Sequence, residues 1–273
     1  MKSLSFIVLT VVGAWLAGCG AGGTASSGLQ VTNGRPAGAG EYAAVIFLFN
    51  EKENGLGEVC TGVFIDPVTV LTAAHCTTGP LGVADAAGRV YKTLSLIRKG
   101  DDGRAFRIAE SLRVTRHPRA DDQWTTDARG FEVSDVNPMD LALVTFPAGQ
   151  APAVATLAPR SPEVGDHLTL VGFGLDQTHD RSERSSIGVK RIGVNRVTGI
   201  SGGRIHMVGL DRSHDHSGTD VAAAPGDSGG PAFYNGRVAG IVSGGTPVNR
   251  QRNQSIMVDL NSDLSRQFLR NYR

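Results

Sequence analysis

The chain has 273 residues, of which 40% are hydrophobic and 36 are glycine, and its formal net charge is +1. That length fits one large domain or two small barrels, and the glycine content favours a loop-rich β protein over a helical one. A charge so close to zero argues against nucleic acid or a charged membrane surface as the partner.

Residues 1–18 read as an export signal. Lys2 precedes "LSFIVLTVVGAWLAG", an apolar run too short to span a bilayer comfortably. The run closes on "LAGC" at residues 16–19, which resembles the lipobox of bacterial lipoproteins. That resemblance implies lipidation of Cys19, a mature chain that begins there, and an exported protein anchored to a bacterial membrane, periplasmic or at the cell surface, with release from it as a further expectation. The other two cysteines are Cys60 and Cys76. With Cys19 carrying lipid, they are left to pair as a disulfide in an oxidising compartment. Residues 20–30, "GAGGTASSGLQ", read as a flexible tether, so 19–30 forms a lipidated tether or propeptide.

From residue 31 the chain alternates short strand-like segments with turn signals. The clearest are 43–49 "AAVIFLF", 59–65 "VCTGVFI", 141–146 "LALVTF", 167–174 "HLTLVGFG", 204–209 "RIHMVG" and 237–244 "RVAGIVSG". This spacing predicts sandwiches or barrels rather than βαβ units. Only the end reads as helix: Asn261, Ser262 or Asp263 caps it, and Leu260, Leu264 and Phe268, with Leu269 beside them, form one apolar stripe.

Three stretches carry chemistry. "VLTAAHC" (70–76) places His75 at an apolar strand end beside Cys76, where a bridge to Cys60 would hold it still. "MDLALVTF" (139–146) opens an apolar strand with Asp140. "PGDSGGP" (225–231) is a stiffened sharp turn that displays Ser228, its glycines free to take positive φ. Serine at its free pKa is a poor nucleophile and needs a base, which in turn needs an orienting group.

"TAAHC", "DLAL" and "GDSGGP", in that order, resemble the chymotrypsin/trypsin family of serine endopeptidases. "VTNG" (31–34), "GEYAAVIFL" (40–48), His117 with Pro118, "VGFG" (171–174), "GIVSGG" (240–245) and the terminal helix extend the likeness over residues 31–270. The resemblance implies an all-β fold of two six-stranded antiparallel barrels with a short C-terminal helix. One barrel spans 31–150 and carries His75 and Asp140. The other spans 151–273 and carries Ser228, with the cleft between them. It implies that Ser228 attacks the peptide carbonyl, His75 moves the proton, Asp140 orients His75, and the N–H groups of Gly226 and Ser228 form the oxyanion hole. Ser243 matches the serine that hydrogen-bonds the catalytic aspartate.

The specificity pocket departs from the trypsin pattern. Ala222 stands where trypsin-like enzymes carry an acid, and Gly245 and Ser255 match the opposite walls. A pocket of this kind has no charge to pair with Lys or Arg, so small or apolar P1 side chains are expected. Asp220, two residues upstream, is the acid that would reach the pocket if the loop differed. The family's pocket disulfide is also missing.

The resemblance further implies an activation step. Cleavage before Val31 frees an amine that pairs with Asp227 and orders the oxyanion turn. The uncut form should then hold a distorted turn, and the cut would also release the enzyme from its tether. The other reading is that the tethered form is active and some other group satisfies Asp227.

Residues 119–138 are longer than usual for the family. They read as a solvated insertion, or as a cleft rim using Trp124 or Phe131. His214, Asp215 and His216 lack a third ligand at a clear spacing, and "KGDDGR" (99–104) reads as a plain turn, so neither a metal nor a cofactor is expected. The leading function is thus a secreted or surface-tethered serine endopeptidase, monomeric, acting on protein or peptide substrates, with an inhibitor or an activating protease as further partners. The rival is a catalytically silent relative serving as a binding or adhesion lipoprotein, which loss of the triad or its glycines would mark. An esterase or other acyl transferase on the same triad is a third reading.

Overall fold

The computed structural model describes residues 31–52, 57–77, 91–99, 104–120, 138–176 and 187–270. The export signal, Cys19, the tether, residues 100–103, and Trp124 and Phe131 of the insertion lie outside these residues. No helix among the described residues is long and apolar enough to cross a membrane.

Fourteen strands and one α-helix follow in order: β1 Arg35–Pro36, β2 Val45–Lys52, β3 Gly57–Phe64, β4 Thr69–Thr72, β5 Tyr91–Lys99, β6 Ala105–Glu110, β7 Arg113–Arg116, β8 Ala142–Thr145, β9 His167–Gly172, β10 Arg191–Ser201, β11 Arg204–Leu210, β12 Pro231–Tyr234, β13 Arg237–Pro247, β14 Arg252–Asp259 and α1 Asp263–Arg270. They form two antiparallel sheets. The first runs β6-β5-β2-β3-β4-β8-β7 and curls as a half-barrel whose edge strands β6 and β7 are consecutive in the chain. Between them Ser111 N–H donates to Leu94 O and Leu112 N–H to Thr145 O, so this two-residue link spans the gap between the sheet's edges. The second runs β10-β11-β14-β13-β12-β9, and pairing of β9 with β10 closes it as a six-stranded barrel, with β1 added outside on β10. The expected chymotrypsin-like fold is therefore present.

Alternation explains the closed barrel. Along β11, Ile205, Met207 and Gly209 face inward while their neighbours are half-exposed. Ile205 and Met207 meet Leu168, Leu170 and Met257 in one core cluster. The half-barrel has its own filling of Leu48, Phe64, Leu71, Leu94, Leu143 and Phe146. Full burial of side chains this size supplies about 1.5–3 kcal/mol each.

Each chain end crosses to the other half. Arg35 and Pro36 pair with Ile192 and Arg191 of β10, and Thr32 bridges to Ala222, so residues 31–36 belong to the second barrel. Asn33 fastens them: its Oδ1 accepts the N–H groups of His214, Asp215 and His216, all at 3.0 Å. At the far end, Ser262 caps α1, its Oγ accepting from Ser265 N–H at 3.3 Å. The apolar stripe then turns Phe268 onto His117 of the first half, the rings 5.2 Å apart. Strands β2 to β8 thus make the first sheet and β9 to β14 the second, while β1 and α1 cross over.

Cys60 on β3 and Cys76, in the short 3-10 turn His75–Thr77 after β4, form the expected disulfide, Cα to Cα 6.1 Å. The bridge closes a short loop, with a sequence separation of 16. Cys60→Ser is expected to cost about 3 kcal/mol, the loop-closure value for this length. The check is thermal melting under oxidising and reducing conditions, and coincident curves would mean that the bridge contributes nothing.

Candidate active site

His75 is held by its own turn. Thr77 Oγ donates to Ala74 O at 2.8 Å, Asn50 Nδ2 to Cys76 O at 2.8 Å, and the disulfide ties Cys76 to β3. Asp140, just before β8, is nearly buried and receives three donors. His75 backbone N–H reaches Oδ1 at 2.9 Å, His75 Nδ1 reaches Oδ2 at 2.7 Å, and Ser243 Oγ from β13 also donates to Oδ2. Burial works against a charged Asp140, but the interactions with His75 and the Ser243 hydroxyl outweigh it and hold the carboxyl below its ordinary range. An ionised carboxylate only accepts, so the Nδ1 proton is assigned and Nε2 is left with the lone pair.

Ser228 lies close to His75 at the interface between the halves. Thr61 N–H on β3 donates to Ser228 O at 2.8 Å. Cys76 Sγ touches both partners, 3.5 Å from Ser228 O and 3.8 Å from His75 Nε2. The half-buried Ser228 sits at the head of a turn bound on all sides. Leu175 N–H donates to Pro225 O at 2.8 Å, Asp227 N–H to Ala224 O at 2.9 Å, Gly229 N–H to Val242 O at 2.7 Å and Gly230 N–H to Asp227 O at 2.8 Å. Thr61 Oγ donates to Gly226 O at 2.9 Å and accepts from Phe173 N–H at 3.1 Å. Gly226 has φ 100°, and a Cβ there would lie 2.7 Å from Gly174 Cα. The N–H groups of Gly226 and Ser228 donate to no group among the described residues. An oxyanion hole requires backbone donors beside the serine that are left for the substrate.

The residues expected to line the specificity pocket lie on neighbouring segments of the second barrel. Gly245 and Ser255 are cross-strand partners, Ser255 Oγ accepts from Ala223 N–H at 2.8 Å, and buried Ala222 exchanges hydrogen bonds with Thr32. Asp220 accepts from Arg252 Nη1 at 2.7 Å in a partly exposed ion pair. Among the described residues, the cluster able to offer metal ligands is Cys60, His75 and Cys76, whose sulfurs are joined to each other. His214 and His216 instead flank the Asn33 clasp through their backbone.

The two residues of the expected activation pair both lie in the second barrel. Val31 is buried against the second core, with φ 47°. No hydrogen bond joins it to Asp227. The Asp227 carboxylate accepts from Gly174 N–H at 2.8 Å and Ala224 N–H at 2.9 Å. These amides hold the carboxylate beneath the turn, next to the docked residues 31–34. Burial pushes the Asp227 carboxyl up to about 7, against the lowering effect of both amides and of Arg191. Arg191 is fully buried. Thr61 and Arg191 carried no signal in the sequence: one reads as an ordinary strand residue, the other as a surface cation.

The family model described as Trypsin matches residues 31–264. The chymotrypsin-like protease VLCTLP of Macrovipera lebetinus is 23% identical over 234 residues, covering 83% of this chain and 80% of that protein.

Proposed function

Because the chain belongs to the trypsin family, we propose that it is a serine endopeptidase acting on protein or peptide substrates through His75, Asp140 and Ser228. The observation that carries this reading is the Asp140 carboxylate, which takes two bonds from His75 and one from Ser243 and so fixes the imidazole tautomer. Ser228 Oγ attacks the scissile carbonyl while His75 Nε2 takes its proton. The tetrahedral oxyanion binds the N–H groups of Gly226 and Ser228. His75, now an imidazolium stabilised by Asp140, protonates the leaving amine, and water reverses the sequence on the acyl-enzyme.

Ala222, Gly245 and Ser255 offer no fixed charge, and Asp220 is already engaged by Arg252. A Lys or Arg at P1 would lose its hydration without gaining an ion pair. The substrate is cut after small or apolar residues. The apolar run before "LAGC" and its Cys19 support an exported enzyme, surface-tethered through lipid or secreted.

The test is covalent labelling of the mature protein by an organophosphonate, followed by turnover on a diverse peptide library. Labelling at Ser228 and its loss in both Ser228→Ala and His75→Ala are expected, with peptides bearing P1 Lys or Arg among the poorest. Equal labelling of His75→Ala would remove the triad, and a folded protein that cuts no peptide would remove the peptidase.

A further inference from the structure

A second pocket lies where β2 and β5 of the first half face the second barrel. Phe47 and Ile97 are cross-strand partners there, so their side chains project to one face. The Phe47 ring stacks on Phe173, centroids 5.4 Å apart, and Lys190 Nζ lies 5.6 Å from the centre of the Phe173 ring. Beside this stack is a cavity of about 380 Å³, a size ordinary for small-ligand sites. Phe47, Ile108 and Phe173 give it apolar walls, and Arg98, Gln150 and Lys190 add polar side chains. None of the triad, oxyanion or specificity-pocket residues lines it.

The chain does not pair the cations of this pocket. Lys190 Nζ donates to Tyr42 O at 2.9 Å and to Glu41 O at 3.4 Å, both carbonyls, and an ammonium has three protons to give. The Glu41 carboxylate turns to Arg35 instead. Among the described residues, neither Lys190 nor exposed Arg98 forms an ion pair. Burial draws the Lys190 ammonium below its usual range, against the raising effect of Glu41. An anion here would face two cations, one of them partly desolvated, where attraction is stronger than at an open surface.

We propose that this pocket binds the carboxyl terminus of a peptide whose last residue is apolar. The carboxylate lies against Lys190 and Arg98 as a charge-assisted acceptor. The terminal side chain lies against Phe47, Ile108 and Phe173. Gln150, whose carboxamide both donates and accepts, takes the last peptide group. A fatty acid shares the carboxylate and the apolar chain but offers Gln150 nothing. An endopeptidase that cuts after small or apolar residues releases such ends at every turnover, so the nearest ligand is the enzyme's own product. That source rests on the endopeptidase reading above, whereas the chemistry of the pocket does not.

The experiment uses the exported chain carrying Ser228→Ala, which leaves its ligand uncut. It is titrated by calorimetry with an acetylated tetrapeptide ending in leucine, the C-terminal amide of that peptide, the same peptide ending in lysine, and decanoate. The leucine acid is expected to bind, and the amide and the lysine peptide at least about 10-fold more weakly, the worth of one hydrogen bond to a charged group. Arg98→Glu and Lys190→Met should each weaken the leucine acid by about 10- to 100-fold. Ile108→Glu, which sets a carboxylate in the apolar wall, should weaken it by about 10-fold or more. If Lys190→Met does not fold, Arg98→Glu and Ile108→Glu decide the matter, because both positions are exposed. Equal affinity for the acid and the amide, or binding that neither Arg98→Glu nor Ile108→Glu moves, would overturn the site. Decanoate bound as tightly as the leucine acid would overturn the peptide as its occupant. A wild type that cuts no peptide while the Ser228→Ala chain still binds would remove the endopeptidase and its product as the source, and leave the pocket standing.

Discussion

Asp140→Asn is expected to lower kcat by about four orders of magnitude while the protein keeps its fold. The carboxylate accepts from the His75 backbone, from His75 Nδ1 and from Ser243 Oγ. A carboxamide of the same shape has one accepting oxygen and one donating nitrogen. If the oxygen keeps the backbone N–H, the amide nitrogen faces Nδ1 and moves the ring proton to Nε2. The ring then offers Ser228 a donor where it needs a base. The Ser243 hydroxyl can rotate to accept, so the substitution changes protonation more than packing. The measurement is kcat across pH together with thermal melting. A loss below tenfold with an unchanged melt would show that the ring tautomer is not set by Asp140.

Gly229→Ala is expected to be the most destabilising small substitution in the turn. Gly229 has φ 79°, and a Cβ on it would lie 2.0 Å from Thr72 Oγ, 2.3 Å from Thr61 O and 3.0 Å from Ala73 N. Two of these three atoms belong to the backbone of the opposite half. The hydroxyl of Thr72 cannot swing aside freely, since it donates to Thr61 O at 2.8 Å. The two halves must therefore part at their closest approach. A cost above about 4 kcal/mol is expected, in the range reserved for such core faults. Gly236→Ala is the control: its φ is 74°, but nothing lies within 4 Å of a Cβ there. It should cost only the left-handed strain of about 1–2 kcal/mol. Urea midpoints compare the two, and a Gly229→Ala midpoint no lower than that of Gly236→Ala would refute the close packing.

What could be read in advance follows a physical line. Strands β2, β3, β8, β9, β11 and β13 announce themselves through apolar runs or alternation between turn signals. β10 and β14 do not, because polar residues interrupt them. Ser255 and Asn195 look like loop residues until their partners are known. Ser255 Oγ accepts from Ala223 N–H, and Asn195 Nδ2 donates to Val208 O and Val221 O. The triad was legible because nucleophilic chemistry demands those three residue types in distinctive local contexts. The supports of the turn were not legible, since their partners lie far off in sequence. Thr61 meets Gly226 across a separation of 165 residues, and Arg191 reads as a surface cation unless Gly172 is known to stand opposite it.

The exchange of chain ends sets an order in time. Residues 31–36 are made first but dock on Arg191, Ile192 and Ala222, which are made late. The half-barrel that carries His75 and Asp140 receives Phe268 of α1 only after the strands of the second barrel have been made. An emerging chain therefore lacks both clasps, and its first half waits with a bare apolar face where the helix will sit. Domains usually close one after another as they leave the ribosome. Here neither can close fully until α1 is out, so the two halves reach their final form together, and the cleft is assembled only once both have been made.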